Sequence, residues 1–371
     1  MNRKNRLLAL LAALVLSAGI MGCTGSPEDD SESTIRDIPS ITPESNPKDV
    51  EEDESGKGSK GEEDSEPEES SSSKQESDLP EYAKVGQVVT GDDWSIALLY
   101  AKEYDSIGSE FYSDQPSEGK KFLVLFFDVM NVSSENDHFN PFYFEGYADD
   151  YSTNAAFITS EPDGMQDLGG DIDAGKMAKG YMVYEVPSDW KTFEISYKDG
   201  IWTSHRAATF LVNKEDVSPQ DYRYTSSVFP EYVMDSSKKT DIGTEITGEK
   251  WNVKLVDVKK CVEIEDLFRQ KADEGKEFVI FFLEAKNTSS EDDYFNPFFF
   301  RFYVDGYLTD QTLLYNDIDG YEGIGADVAA GKKTKGYIAV QAPSGWKSLE
   351  LVYDEWMLTR NSVAEFGILN E

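Results

Sequence analysis

Phe139-Asn140-Pro141-Phe142 recurs unchanged as Phe295-Asn296-Pro297-Phe298, 156 residues later. The same offset carries Gly119-Lys120-Lys121-Phe122 onto Gly275-Lys276-Glu277-Phe278, and Asn131-Val132-Ser133-Ser134-Glu135 onto Asn287-Thr288-Ser289-Ser290-Glu291. Asp163-Gly164 falls on Asp319-Gly320, and Pro187-Ser188 with Trp190-Lys191 falls on Pro343-Ser344 with Trp346-Lys347. Over one ungapped stretch, 34 of 79 aligned residues are identical, and an extra residue upstream shifts the offset to 157, pairing Trp94 with Trp251. Two copies at so long a period are a domain duplication rather than a short-period solenoid.

Each copy alternates apolar runs with turn residues. Trp94 to Tyr100, Phe122 to Val132, Tyr181 to Val186, Phe193 to Tyr197 and Ala208 to Val212 are rich in aromatic and β-branched residues, as are their counterparts in the second copy. Gly, Pro, Asn and Asp lie between them, as turns require. The pattern predicts an all-β chain of two tandem immunoglobulin-like antiparallel β-sandwiches. Only Val262 to Asp273 reads as helical. Phe122 to Phe127 is apolar on both faces of the pleat, so a loop or the other copy is expected to cover its second face. Trp190 and Trp346 are read as core anchors rather than exposed carbohydrate platforms, and the phenylalanines of Phe-Asn-Pro-Phe are expected inside. The sequons at Asn131 and Asn287 are read as polar turns after a core strand.

Each copy thus has a Gly-Lys-x-Phe entry, a strand ending in Asn-x-Ser, an aromatic strand, a Gly-Lys turn at Gly175 or Gly331, and a Gly-Tyr strand at Gly180 or Gly336. With these motifs both copies resemble the telokin-like, immunoglobulin-fold domain of unknown function that recurs in lipoproteins of Gram-positive bacteria. The resemblance covers nearly all of 82–215 and 238–371. It implies fold and surface location; the family supplies no agreed activity and no catalytic residues.

The amino terminus has the parts of a secretory signal: Arg3, Lys4 and Arg6, then the apolar run Leu7 to Leu16. From Leu7 to Gly22 it spans 16 residues, short of the ~20 that a membrane-crossing helix needs. Ile20-Met21-Gly22-Cys23 resembles the lipobox of bacterial prolipoproteins, which implies cleavage before Cys23 and lipid attachment to its thiol. The organisation expected is a signal peptide at 1–22, a disordered acidic Ser/Glu-rich tether at 23–80, sandwiches at 81–215 and 238–371, and a linker at 216–237. The tether has too little apolar surface to offset the entropy of ordering. Its expected role is reach.

The formal charge is −37; the tether holds −14 and the signal +3, which leaves −26 on residues 81–371. So acidic a surface repels nucleic acid. With Cys23 lipidated, Cys261 is the one remaining thiol, and no intrachain disulfide can form. Catalysis has little to draw on. His138 and His205 are the only imidazoles, neither has a zinc-ligand spacing, and no phosphate-binding glycine loop is present. Asp163, Asp167, Asp171 and Asp173, with Asp317, Asp319 and Asp327 in the second copy, are considered as calcium ligands, but no EF-hand pattern organises them. The expectation is therefore no catalytic residue, no metal and no cofactor. The function expected is non-catalytic binding of a protein or cell-wall partner by a lipoprotein held at the outer face of a bacterial membrane. A protective spacer and a carboxylate-based hydrolase are the alternatives.

Overall fold

The computed structural model describes residues 34–38, 82–109, 111–162, 165–198, 200, 206–219, 227–265, 269–355 and 362–370. The signal segment, Cys23, most of the tether, Asp163 and His205 lie outside the described residues. The first copy contains β1 Thr34–Asp37, β2 Ala83–Lys84, β3 Gln87–Thr90, β4 Trp94–Tyr104, β5 Ile107–Gly108, β6 Ser113–Asp114, β7 Lys120–Asn131, β8 Asp137–Phe139, β9 Phe144–Ala148, β10 Tyr151–Thr153, β11 Gly170–Ile172, β12 Met177–Pro187, β13 Thr192–Lys198 and β14 Arg206–Asn213. The second contains β15 Glu245–Thr247, β16 Trp251–Cys261, β17 Glu263–Ile264, β18 Gln270–Lys271, β19 Lys276–Asn287, β20 Asp293–Phe295, β21 Phe300–Val304, β22 Tyr307–Thr309, β23 Ala326–Val328, β24 Lys333–Pro343, β25 Ser348–Asp354 and β26 Ser362–Leu369.

In the first sandwich β1-β3-β4-β7-β12 faces β10-β9-β13-β14-β2, and in the second β15-β16-β19-β24 faces β22-β21-β25-β26. Within each copy the long strands pair antiparallel, Tyr181 opposite Phe126 and Tyr337 opposite Phe282. The tandem sandwich read from the repeat is the fold.

The aromatic centre is duplicated too. Phe139 stacks on Tyr197 at 4.6 Å and lies edge-on to Trp94 at 5.0 Å; Phe295 stacks on Tyr353 at 5.0 Å and lies edge-on to Trp251 at 4.9 Å. Trp190 and Trp346 are buried in the same two cores. Each indole N–H still needs an acceptor: Trp190 donates to Glu103 at 2.7 Å and Trp346 to Glu277 at 2.9 Å. Acid and base have changed places between the copies. Lys121 pairs with Glu103 in the first, whereas Glu277 and Lys260 occupy those positions in the second, with the Lys260 ammonium 5.7 Å from the Trp346 ring centre.

Asn131 and Asn287 are fully buried. The Asn131 amide donates to the carbonyls of Glu135 and Ile172, both at 2.8 Å, and its oxygen accepts from Ser133; Asn287 repeats the set with Glu291, Val328 and Ser289. The sequon is an internal turn, as expected.

Leu123, Leu125 and Phe127 fill the first core while Phe122, Val124 and Phe126 point the other way. Val228 and Phe229, from the connection between the copies, cover that second face together with Ile158, Met165 and Tyr307. Both expected kinds of cover are present. In the second copy Ile264, Ala272 and Ile318 cover Phe278, Ile280 and Phe282. The covering loop runs so close to the sheet that a Cβ on Gly180 would lie 2.4 Å from Leu168 Cα, and one on Gly336 2.6 Å from Ile324 Cα. The recurrent Lys-Gly-Tyr is this clearance.

Three expectations are corrected. Among the described residues of Val262 to Asp273 there is no helix: Glu263 pairs antiparallel with Lys271 and Ile264 with Gln270, and burial of Ile264 and Ala272 against the sheet overrides local propensity; residues 266–268 lie outside the described residues. The second phenylalanine of each Phe-Asn-Pro-Phe lies outside, Phe142 at 88% and Phe298 at 74% exposure, while Phe139 and Phe295 are buried. Asn and Pro between them start a 3₁₀ turn that points the two rings apart. Finally, the tether is not wholly unstructured, for Thr34–Asp37 pairs with β3, Ile35 opposite Val89. Ile35 and Ile38 pack on the first copy.

Candidate interaction surface

Two surfaces stand out: the joint between the copies and an aromatic-edged cleft on the first copy.

At the joint β22 adds to the edge of β12, Met177 beside Tyr307 in parallel, so a nine-stranded sheet runs through both copies. Lys176 and Glu350 form an ion pair there, both nearly inaccessible. The Lys176 ammonium also lies 3.8 Å from the Tyr232 ring centre. Burial works against the Glu350 charge, yet Lys176 and Tyr232 hold its carboxyl below the usual range. Arg301 bridges Asp173 at 2.9 Å and Asp354; burial pushes both carboxyls up, and Arg301 opposes it. Tyr303 accepts from the Asp173 N–H at 3.0 Å and donates to the Asp171 carbonyl at 3.2 Å. Asp128 accepts from Tyr307 at 3.0 Å and from the Val228 N–H at 3.3 Å, with Lys179 at 3.8 Å. Burial pushes its carboxyl up to about 6 against those partners. The repeat does not betray this joint: Lys176, Glu350, Tyr303 and Tyr307 recur as Lys332, Glu194, Tyr147 and Tyr151 and so mark nothing special, while the other members differ between the copies, Glu145 against Arg301, Lys198 against Asp354, Asp173 against Ala329 and Met177 against Lys333.

On the first copy a cleft of 590 Å³ opens between β9, the segment Ser152 to Ile158 and β12, with Phe142 and Phe157 on its border. The far side of the segment borders a second cleft, of 830 Å³, which holds Asp114, Asp149, Glu185 and Lys191. The segment is tied down: Ala156 N–H donates to Val183 O at 2.7 Å, and Thr312 to Ala339 O at the same distance in the second copy. Asn140 holds the Phe142 N–H at 3.0 Å, as Asn296 holds that of Phe298. These fixed backbones present Phe142 and Phe157, exposed by 88% and 94%, and their counterparts Phe298 and Leu313, by 74% and 60%. The sequence hid Phe157 because Leu313 is its only echo.

At the larger cleft backbone N–H groups hold the Asp114 and Asp149 carboxyls below the usual range, and Ser117 does the same for Glu185. Burial pushes up Asp128, Asp173 and Asp354, which serve the joint, and also Glu161, Asp310 and Glu365. The residues considered for metal or thiol chemistry are dispersed. His138 Nδ1 sits 2.8 Å from Asp171, Asp173 is on Arg301, and Asp319 is on Lys259 at 3.0 Å. Among the described residues no three His, Cys, Asp or Glu side chains come together as a metal site. Cys261 ends β16 half-buried, and burial pushes its thiol up. Among the described residues no helix is long and apolar enough to cross a membrane.

The family DUF4352, described as a domain of unknown function, matches residues 83–208 and 240–363. The chain belongs to this family. Its two DUF4352 copies coincide with the two sandwiches, and no catalytic family accompanies them. The chain is also similar to the ycdA protein of Bacillus subtilis, provisionally described as a lipoprotein, at 17% identity and a TM-score of 0.28, covering 34% of this chain and 38% of that one. It is similar to the yjhA protein of the same organism at 15% identity and a TM-score of 0.28, covering 34% and 97%. An uncharacterised β-sandwich protein of Clostridium difficile matches at 14% identity and a TM-score of 0.26, covering 38% and 97%. No curated protein matches the chain.

Proposed function

We propose that this DUF4352 protein is a surface lipoprotein of a Gram-positive bacterium, lipidated at Cys23, whose telokin-like immunoglobulin-fold copies bind a protein or cell-wall partner without catalysing a reaction. The observation that carries the binding role is the recurrence of an exposed apolar pair, Phe142 with Phe157 and Phe298 with Leu313, on backbones held by the same hydrogen bonds in both copies. Single exposed apolar side chains are common, but Phe142 and Phe157 border one cleft together, and grouped apolar surface of that kind favours binding over shielding. The signal-like amino terminus and Cys23 support the location.

The test is capture on intact cells and on isolated wall, comparing the full chain with Phe142→Ser/Phe157→Ser. Both positions are exposed, so folding should be unchanged. Loss of a reproducible partner in the variant is the expected result; identical capture by both proteins refutes the cleft as the binding site. For the anchor, Cys23→Ala should move the protein from the membrane to the soluble fraction, and retention would refute lipidation.

A further inference from the structure

The joint is heterologous. The β21, β22 and β25 face of the second copy docks on the β12 edge of the first, and not the reverse. The first copy therefore has its own β9, β10 and β13 face outside this contact, and the second has its β24 edge. We propose that these two remaining surfaces bind each other between molecules, so that a second copy of this chain is the partner and assembly runs head to tail.

The 156-residue correspondence sets the register. Lys332 stands where Lys176 is and Glu194 where Glu350 is, so the ammonium–carboxylate contact has both its members. Tyr147 stands for Tyr303, facing the backbone of 327–329 as Tyr303 faces that of 171–173. Tyr151 stands for Tyr307 and Glu284 for Asp128, again a hydroxyl meeting a carboxylate. A fourth contact gains charge. In the joint the Met177 N–H donates to the Gly306 carbonyl at 3.0 Å; between molecules the same positions are Lys333 and Asp150. Glycine is required at 306 because a Cβ there would meet Tyr232 at 2.5 Å, whereas Asp150 is exposed.

Lys332, Lys333 and Lys335 make one exposed basic end of β24 on a chain of net charge −37. Asp150 and Tyr151, the latter 79% exposed, are the acidic and aromatic residues that the register brings onto it. Existing pairs need only be shared: Lys333 rests on Glu284 at 2.5 Å, and Glu194 holds Arg206 at 3.1 Å. Arg301 to Asp173 is not carried over, its counterparts being Glu145, bound to Lys198 at 2.6 Å, and Ala329; nor are the contacts that Val228 and Tyr232 of the connection make with Asp128 and Lys176. Open strand edges are templates for pairing, and a heterologous contact repeats until it closes a ring or extends as a filament.

Sedimentation velocity of the full chain carrying Cys23→Ala tests this, from micromolar to about millimolar protein, the effective concentration short tethers impose. Salt at about 0.15 M screens the long-range repulsion while leaving contact-range charges in play. The parent chain should pass from monomer to a ladder of larger species. Asp150→Lys and Lys333→Glu should each lower the association constant at least about ten-fold, roughly 1.4 kcal/mol, with thermal unfolding unchanged. An equimolar mixture of the two should assemble again, since every contact between unlike variants then joins one acidic and one basic side chain. A parent chain that stays monomeric throughout, or a mixture that assembles no better than either variant alone, overturns the proposal.

Discussion

Lys176 and Glu350, 174 residues apart, form an ion pair with side chains exposed by only 4% and 1%. Lys238 lies 3.8 Å from the same carboxylate. A buried pair contributes little beyond its desolvation cost, but breaking it strands a charge, at about 3 to 5 kcal/mol. Lys176→Met is therefore expected to destabilise the chain by that amount and to uncouple the copies, splitting one unfolding transition into two. Lys176→Met/Glu350→Leu should recover most of the loss. Calorimetry of the four proteins completes the cycle; additive losses in the double variant would deny the coupling.

Asp128 gives the joint a pH dependence with an unusual sign. Its carboxyl is pushed by burial from 3.8 up to about 6, so folding takes up a proton between those values. The group's contribution to stability therefore falls as pH rises from about 4 to 6 and is constant above. The linkage equivalent is about 3 kcal/mol. Subtracting the stability profile of Asp128→Asn from that of the parent should expose a downward step in this window, measured by urea unfolding at pH 4 to 7.5. A flat difference would place Asp128 in contact with solvent.

Gly336 lies under the covering loop of the second copy, where a Cβ would come within 2.6 Å of Ile324 Cα. Gly336→Ala has to move backbone, not a side chain. Overpacking of this kind costs roughly 1 to 3 kcal/mol, and the displaced loop should uncover Phe282 and Tyr337. Increased binding of a hydrophobic dye together with lowered stability is the expected outcome; Gly180→Ala should act alike in the first copy.

Sandwich strands, cores and turns were legible because both copies state them twice: Trp94 with Trp251, Phe139 with Phe295, Asn131 with Asn287. The joint was not legible, for the opposite reason. Lys176, Glu350, Tyr303 and Tyr307 recur in the other copy and so read as fold residues, while Arg301 in place of Glu145 and Met177 in place of Lys333 look like drift in a self-comparison. The exposed phenylalanines escaped because composition cannot tell a ring turned outward by an Asn-Pro turn from one turned inward. Val262 to Asp273 misled because burial, not local pattern, decides the short strand pair Glu263–Ile264 with Gln270–Lys271.

Ile35 decides how far the sandwiches stand from the membrane when Cys23 is lipidated. As a free coil, the 57 residues from Thr24 to Pro80 would span about 40 Å root-mean-square and far more when stretched. Pairing of Thr34–Asp37 with β3 changes the limit. Ten residues, Thr24 to Ser33, then separate the anchor from the body, and at full extension they reach only about 35 Å. What holds the strand is modest: Ile35 on the first core, the Ile38 N–H on Gly86 O at 3.0 Å, and Gln87 on Asp37 at 2.6 Å. Ile35→Asp puts a charge against that core and should release the strand for about 1 to 2 kcal/mol of local stability, leaving both sandwiches folded. Energy transfer from a dye in the bilayer to one on the second copy then measures height. The parent chain should stay within the short arm's reach and Ile35→Asp should rise beyond it; equal heights would mean that the strand leaves its place on the anchored protein.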